Sequence, residues 1–284
     1  MALSLGYSPC PNDTFIFYAM VHQKIDIDAL RVKEVLLDVE TLNQKALNSE
    51  FDITKVSFHA YGHLRDTYTL LSSGGALGRG CGPLLVAKGD MTPEKLRGKK
   101  IAIPGKLTTA YLLLQLFDPA LASDVVIMPF NRIMESVASG AVDAGLIIHE
   151  SRFTYPAYGL SAVEDLGRWW ESETRLPIPL GCIIAKQRLG SETIKTVDIL
   201  IRKSVEYAFS HREETKSYIK AHSQELADEV IEQHINLYVN TYTLDLGSEG
   251  TEAVQELLRR AQEKGVFGKS PAMGQFSSGE KSFI

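Results

Sequence analysis

Short apolar runs alternate with amphipathic stretches through the first half of the chain. Leu3-Ser4-Leu5 reads as a strand and Phe15–Met20 as a helix, joined by Gly6-Tyr7-Ser8-Pro9-Cys10-Pro11-Asn12-Asp13-Thr14. Pro9 and Pro11 fix φ and remove two backbone donors, so this connection is stiff. Asn12, Asp13 and Thr14 are residue types favoured as helix N-caps. Leu30–Leu36 predicts a strand. Val39–Ser49 predicts a short amphipathic helix with Leu42, Ala46 and Leu47 on one face. Asp52–Ser57 predicts a strand, Phe58–Leu64 a helix and Tyr68–Ser72 another strand. Such alternation implies an α/β fold with parallel βαβ units.

From Gly74 to Gly82 there are five glycines in nine residues, followed by Pro83 and the strand-like Leu84–Ala87. A dinucleotide fingerprint needs G-x-G-x-x-G opening a helix, and neither the spacing nor the next element fits. Glycine relaxes φ where a chain bends sharply, so this segment reads as a hinge between lobes. A second βα pattern follows. Its strands are at Lys100–Ile103, Val125–Met128 and Ala144–Ile148, and its helices at Thr108–Phe117 and Asn131–Ser139. Gly181-Cys182-Ile183-Ile184-Ala185-Lys186 then echoes Gly82-Pro83-Leu84-Leu85-Val86-Ala87-Lys88. Both are apolar strands entered through glycine and closed by Ala-Lys, which predicts paired crossings between two lobes. Ser191–Lys264 reads as mainly helical, and Gly265–Ile284 as a loosely ordered Gly/Ser-rich tail. The expected division is one discontinuous lobe, residues 1–86 plus 184–284, with residues 87–183 inserted.

A chain of 284 residues is long for one compact domain and suits two lobes. Hydrophobic residues make up 44% and charged residues 23%, as in ordinary globular proteins. The net charge of −5 and the lack of a long basic run argue against a nucleic-acid partner. No run of about 18 apolar residues occurs, which predicts no membrane span. The amino terminus has no basic or long apolar stretch, and the odd set Cys10, Cys81 and Cys182 contains no CxxC. Both features point to a reducing, cytoplasmic setting. Oligomeric state is left open.

Four segments could carry chemistry. In open α/β sheets, ligands bind beyond the carboxyl ends of strands. His149 ends the apolar run Ala144–Ile148 and so falls at such an end. It reads either as a general base, for which imidazole suits neutral pH, or as a strand-end histidine bonded to a neighbouring loop. Gly105-Lys106-Leu107-Thr108-Thr109-Ala110-Tyr111 opens a helix. It is no P-loop, since Lys100 stands where the first glycine belongs. What remains is a helix amino terminus able to take a carboxylate or phosphate, or simply an N-cap by Thr108. Lys55-Val56-Ser57 closes a strand, so Ser57 lies either at the cleft rim or in a helix cap. The opening turn, Ser8 to Asp13, should face the same crevice as a rigid wall. His59 and His63 share a helix face, but no third ligand or zincin pattern accompanies them. Trp169-Trp170 reads as packing, and Cys10, with no activating base evident, as a small packing group.

Gly6-Tyr7-Ser8-Pro9-Cys10-Pro11-Asn12-Asp13-Thr14-Phe15 closely resembles the opening of the 1,4-dihydroxy-6-naphthoate synthase family of the futalosine route to menaquinone. The Lys55–Ser57, Thr108-Thr109 and Ile147–Tyr155 segments follow in the family's order. The resemblance implies that His149 is the proton acceptor. It also implies that Lys55, Val56, Ser57, Thr109 and Ala110 contact substrate, with Thr108 added from capping geometry. The implied substrate is a small carboxylate, cyclic dehypoxanthine futalosine, cleaved at a carbon–carbon bond without hydrolysis. No metal, nucleotide or redox cofactor is implied. A discontinuous lobe clamped on a cleft resembles the type II periplasmic-binding-protein fold. Two alternatives stay open: a chorismate dehydratase of the same pathway, separated by which compound is consumed, and a non-catalytic binding module for an organic anion, which would leave its ligand unchanged.

Overall fold

The computed structural model describes residues 2–27, 30–224 and 227–267. The tail expected from Gly265 lies outside the described residues from position 268 onward. The first sheet collects β1 (Ala2–Tyr7), β2 (Arg31–Leu36), β3 (Ile53–Ser57), β4 (Tyr68–Leu70) and β5 (Ala76–Gly78). Helices α1 (Pro11–Val21), α2 (Val39–Leu47) and α3 (Phe58–Leu64) connect the early strands. The second sheet contains β6 (Leu84–Ala87), β7 (Ile101–Ile103), β8 (Val125–Ile127), β9 (Ala144–Ile147) and β10 (Ser161–Asp165). Between them run α4 (Pro93–Leu96), α5 (Thr109–Phe117), α6 (Phe130–Ala138) and α7 (Ser151–Thr154). After α8 (Leu166–Thr174), β11 (Ile178–Lys186) rejoins the first sheet. The chain then continues through α9 (Ser191–Ser210), α10 (Arg212–His222), α11 (Asp228–Tyr238), α12 (Thr241–Leu244) and α13 (Gly247–Glu263).

The first sheet has the order β2-β1-β3-β11-β4, with β5 also on β11. β1 runs parallel to β2 and β3, while β11 is antiparallel to β3, β4 and β5. The second sheet is ordered β10-β6-β9-β7-β8, parallel from β9 to β8 and antiparallel from β9 to β10. The two sheets make two lobes. β6 and β11, expected as paired crossings, lie in different sheets and do not pair. Their similar sequences reflect only that both are buried interior strands, which read as continuous apolar runs. Sheet membership changes just before Leu84 and just before Ile178.

The chain departs from one expected boundary. Helix α1 starts at Pro11, with Cys10 as a cap lacking a side-chain bond, so Asn12, Asp13 and Thr14 are not the caps. Pro11 suits the first helical position because its missing N–H would be unsatisfied there anyway. Residues Pro11–Met20 are buried all round, since α1 lies against α9, α10 and α11. An all-round buried helix shows no amphipathic stripe. By contrast, α6 buries Phe130, Ile133, Met134 and Val137, a stripe on one face.

The chain passes between lobes beside Gly82. A Cβ there would lie 2.2 Å from the Gly167 Cα, so the two backbones meet where only glycine fits. Arg152 ties this crossing together, donating to Gly82 O at 2.6 Å and pairing with Asp165 at 2.7 Å.

Candidate active site

The cleft is built where strands end. β1, β3 and β9 each finish at it, and β7 leads through Pro104–Leu107 to the start of α5. This matches the rule that ligands bind beyond strand carboxyl ends. The cavity encloses about 650 Å³ including its open mouth. Lys55, Val56 and Ser57 line it from β3, Thr108, Thr109 and Ala110 from the start of α5, and His149 from the end of β9. All seven residues singled out from sequence therefore meet at one cavity, with Ser8, Asn12 and Asp13 of the opening turn beside them.

Asp13 and Lys55 form the charged floor. Their atoms lie 3.0 Å apart, and the side chains are only 3% and 5% exposed. Lys55 Nζ also donates to Gly74 O at 3.0 Å. The Asp13 carboxylate accepts from Ser8 N, Ser8 Oγ and Asn12 Nδ2 at 3.2, 2.7 and 2.8 Å. The stiff turn thus folds its polar groups inward around one carboxylate instead of capping the helix. Ser57 is held by Asn43, which accepts from Ser57 N at 2.9 Å and donates to Ser57 Oγ at 3.1 Å. It is the N-cap residue of α3 but makes no side-chain cap bond.

At α5, Thr108 caps the helix: its Oγ1 accepts from Tyr111 N at 3.3 Å. Leu107 N already donates to the Glu40 carboxylate, at 3.2 Å to Oε2, across the lobe boundary. Glu40 reaches in because residue 105 is glycine; a Cβ there would lie 2.3 Å from the Glu40 carboxyl. Burial raises the Glu40 carboxyl above its usual range, opposed by hydrogen bonds from Gln44, Asn43 and Leu107. Thr109 Oγ1 donates to Leu180 O at 2.6 Å and accepts from His59 N at 3.3 Å, so its hydroxyl also stitches the lobes. His59 Nδ1 donates to Thr108 O at 3.2 Å, and burial lowers its pKa to about 4. It supports α5.

His149 is half-buried and has φ +58°, the left-handed region where a side chain is strained. Such strain persists only where the surroundings over-determine it, often at functional sites. Phe130 packs against its ring at 5.0 Å. Desolvation lowers its pKa to about 4; Asp13 opposes the shift and Lys55 reinforces it. The imidazole is therefore neutral at pH 7 and able to accept a proton.

Two neighbours of His149 were not legible as such. Cys10 places its sulfur within 4.8 Å of donor atoms on His149 and Glu150. The base missing from the sequence around Cys10 is thus supplied by the fold. Burial, with Glu150 adding to it, nevertheless pushes the Cys10 thiol well above its usual range. It is a protonated group beside His149, whereas a nucleophile or metal ligand needs the thiolate. His234, on α11, stacks on His149 with ring centroids 6.0 Å apart. Its only sequence signal is a histidine on the buried face formed by Ile231, Ile235 and Tyr238.

The family described as menaquinone biosynthesis matches residues 3–263. A 1,4-dihydroxy-6-naphthoate synthase of Thermus thermophilus is 52% identical over 270 residues, covering 95% of this chain and 97% of the relative. Another, from Streptomyces coelicolor, is 43% identical over 276 residues, covering 96% of each. A crystal structure of an Archaeoglobus fulgidus protein superposes with TM-score 0.87 at 39% identity, covering 94% of this chain and 98% of that one. A Candida albicans protein with the generic periplasmic-binding-protein fold superposes with TM-score 0.68 at 15% identity, covering 95% of this chain and 92% of that one.

Proposed function

We propose, from the premise that the chain belongs to the menaquinone-biosynthesis family of the 1,4-dihydroxy-6-naphthoate synthases, that its cleft cleaves cyclic dehypoxanthine futalosine to 1,4-dihydroxy-6-naphthoate with His149 as general base. The carrying observation is His149 itself, a neutral imidazole held in a strained conformation at the mouth of β9, facing the cleft. Its free nitrogen lone pair takes a proton from a substrate carbon. The electron pair left on carbon forms a new π bond as the carbon–carbon bond breaks, and the pair of the broken bond departs on the leaving fragment, which takes up a proton, so no water is added.

Lys55, Val56 and Ser57 on one lobe, and Thr108, Thr109 and Ala110 on the other, hold the substrate and its carboxylate. Contacts from both sides let closure orient the substrate and exclude water. The lobes already communicate through Glu40 to Leu107 and Thr109 to Leu180. Among the described residues no helix is long and apolar enough to cross a membrane.

The test is incubation with cyclic dehypoxanthine futalosine and mass detection of the dihydroxynaphthoate. His149→Ala should lower kcat by about 10²–10⁴, the usual contribution of a positioned general base, while substrate still binds. Unchanged turnover in that variant would remove His149 from the mechanism. Binding without product in the parent protein would mark a binding module instead.

A further inference from the structure

His234 has no part in the reading above, yet its protons can be assigned. Its side chain is fully buried, and its ring lies within 13° of parallel to His149. Asn12 Nδ2 donates to Asp13 Oδ1 at 2.8 Å, and Asp13 is itself ion-paired with Lys55. That bond sets the Asn12 amide, leaving its Oδ1 2.9 Å from His234 Nε2. An amide oxygen only accepts, so Nε2 carries a hydrogen. In a neutral imidazole the other nitrogen then presents a lone pair.

That nitrogen, Nδ1, is buried and has no hydrogen-bond partner among the described residues. Glu150 Oε2 lies 3.8 Å from it, on a side chain only 10% exposed. A lone pair facing an ionised carboxylate is repulsive, and a buried nitrogen left unbonded is costly. A single proton between the two atoms removes both penalties.

We infer that Glu150 and His234 share one buried proton between Oε2 and Nδ1, and that its position responds to the charge on His149. Glu150 borders both imidazoles: it lies 3.8 Å from His234, and a carboxylate oxygen of Glu150 lies within 4.8 Å of His149 and of the Cys10 sulfur. With His149 neutral, the proton rests on Glu150, because burial opposes a charge on His234; a charged His149 repels a cation on His234 across 6.0 Å but attracts a carboxylate on Glu150 within 4.8 Å. When His149 takes a proton from substrate, the Glu150 O–H bond breaks and the His234 Nδ1–H bond forms. A carboxylate then stands beside the new imidazolium. The three groups together gain only the substrate proton, and none is exchanged with solvent.

This inference rests on His149 being the proton acceptor. Glu150 and His234 act through His149 and are positioning residues. Other polar groups around these residues are Cys10 and Asn12 from the opening turn, Asp13, Lys55 and Asp38, which act on His149, and Tyr238 with Arg152 near it. Tyr238 packs its ring 4.6 Å from that of His234.

The experiment combines ¹⁵N-histidine NMR of the full-length protein with kinetics of Glu150→Gln. In the resting protein His234 should show the Nε2–H tautomer, with Nδ1 accepting a hydrogen bond. Glu150→Gln retains a donor for Nδ1 but cannot become anionic. Its kcat should fall about a hundredfold, as when one preorganised charge-stabilising group is removed, with KM nearly unchanged. Glu150→Asp should restore part of the loss. An Nδ1–H tautomer at His234, or a kcat within twofold of the parent in Glu150→Gln, would overturn the inference. The tautomer is read without turnover, so it decides the proton sharing even if Glu150→Gln does not fold. Failure of the base assignment shows separately, in His149→Ala.

Discussion

Replacing Lys55 by Met removes one member of an ion pair while keeping most of its stem. Lys55 and Asp13 sit 3.0 Å apart with 5% and 3% of their side chains exposed, so water cannot take the place of the lost ammonium. Breaking a buried pair on one side typically costs about 3–5 kcal/mol. Asp13 keeps three hydrogen bonds, from Ser8 N, Ser8 Oγ and Asn12 Nδ2, which places the cost near the lower end. Gly74 O also loses a donor, adding about 1 kcal/mol. The expected destabilisation is therefore about 4 kcal/mol, or a melting temperature lower by roughly 8–16 °C for a chain of this size. Asp13→Asn combined with Lys55→Met removes both charges and should recover much of that loss. The assay is urea denaturation of parent, both single variants and the double variant, read as a double-mutant cycle. A Lys55→Met cost below about 1 kcal/mol, or a double variant no more stable than the worse single one, would refute the argument that this pair is desolvated and mutually dependent.

Two other predictions concern pH and the lobe crossing. The pKa values of His59 and His149 are lowered to about 4, so in the folded state both stay neutral as pH falls below 6.5. The unfolded chain binds those protons first, so stability is full above about pH 6.5 and declines as pH falls toward 4, by up to about 3 kcal/mol for buried His59. Urea midpoints between pH 4.5 and 7.5 should show this slope, and His59→Gln should flatten it; an unchanged slope would remove His59 as a cause. For kcat/KM, the acidic limb assigned to His149 should fall near pH 4 instead of 6.5. Gly82→Ala would drive a methyl to 2.2 Å from the Gly167 Cα, where the obstacle is backbone and cannot swing away. It should destabilise by about 1–3 kcal/mol or more, as overpacking does, checked by thermal melting; a melting temperature matching the parent would show that the crossing can widen.

Much of the site was visible in the chain because its parts are local. A strand followed by a polar turn and a helix can be read from a dozen residues, and the strand-end rule then points each turn at a cleft. This is why Ser57, the Thr108-Thr109 helix start and His149 were found separately; the family resemblance added Lys55, Val56 and Ala110, and all seven line one cavity. The opening turn was legible as stiff and polar, but not the purpose of its polarity. Asn12 and Asp13 look like helix caps, and their caps went unused because Lys55 and His234 compete for the same atoms. Those partners lie 42 and 222 residues away.

Periodicity and turn chemistry thus specify the α/β alternation, the two lobes and the residues at each strand end, since these depend on φ, ψ and neighbouring side chains. Which face meets which is a matter of packing. The all-round burial of α1, the Glu40 carboxylate at Leu107, the separation of β6 from β11 into different sheets, and the Cys10–His149–Glu150–His234 cluster all join distant segments. Such contacts form only when loop closure and core packing bring the elements together. For that reason the sequence supplies a candidate base at His149, while the groups that hold it neutral and surround it are set by the folded chain.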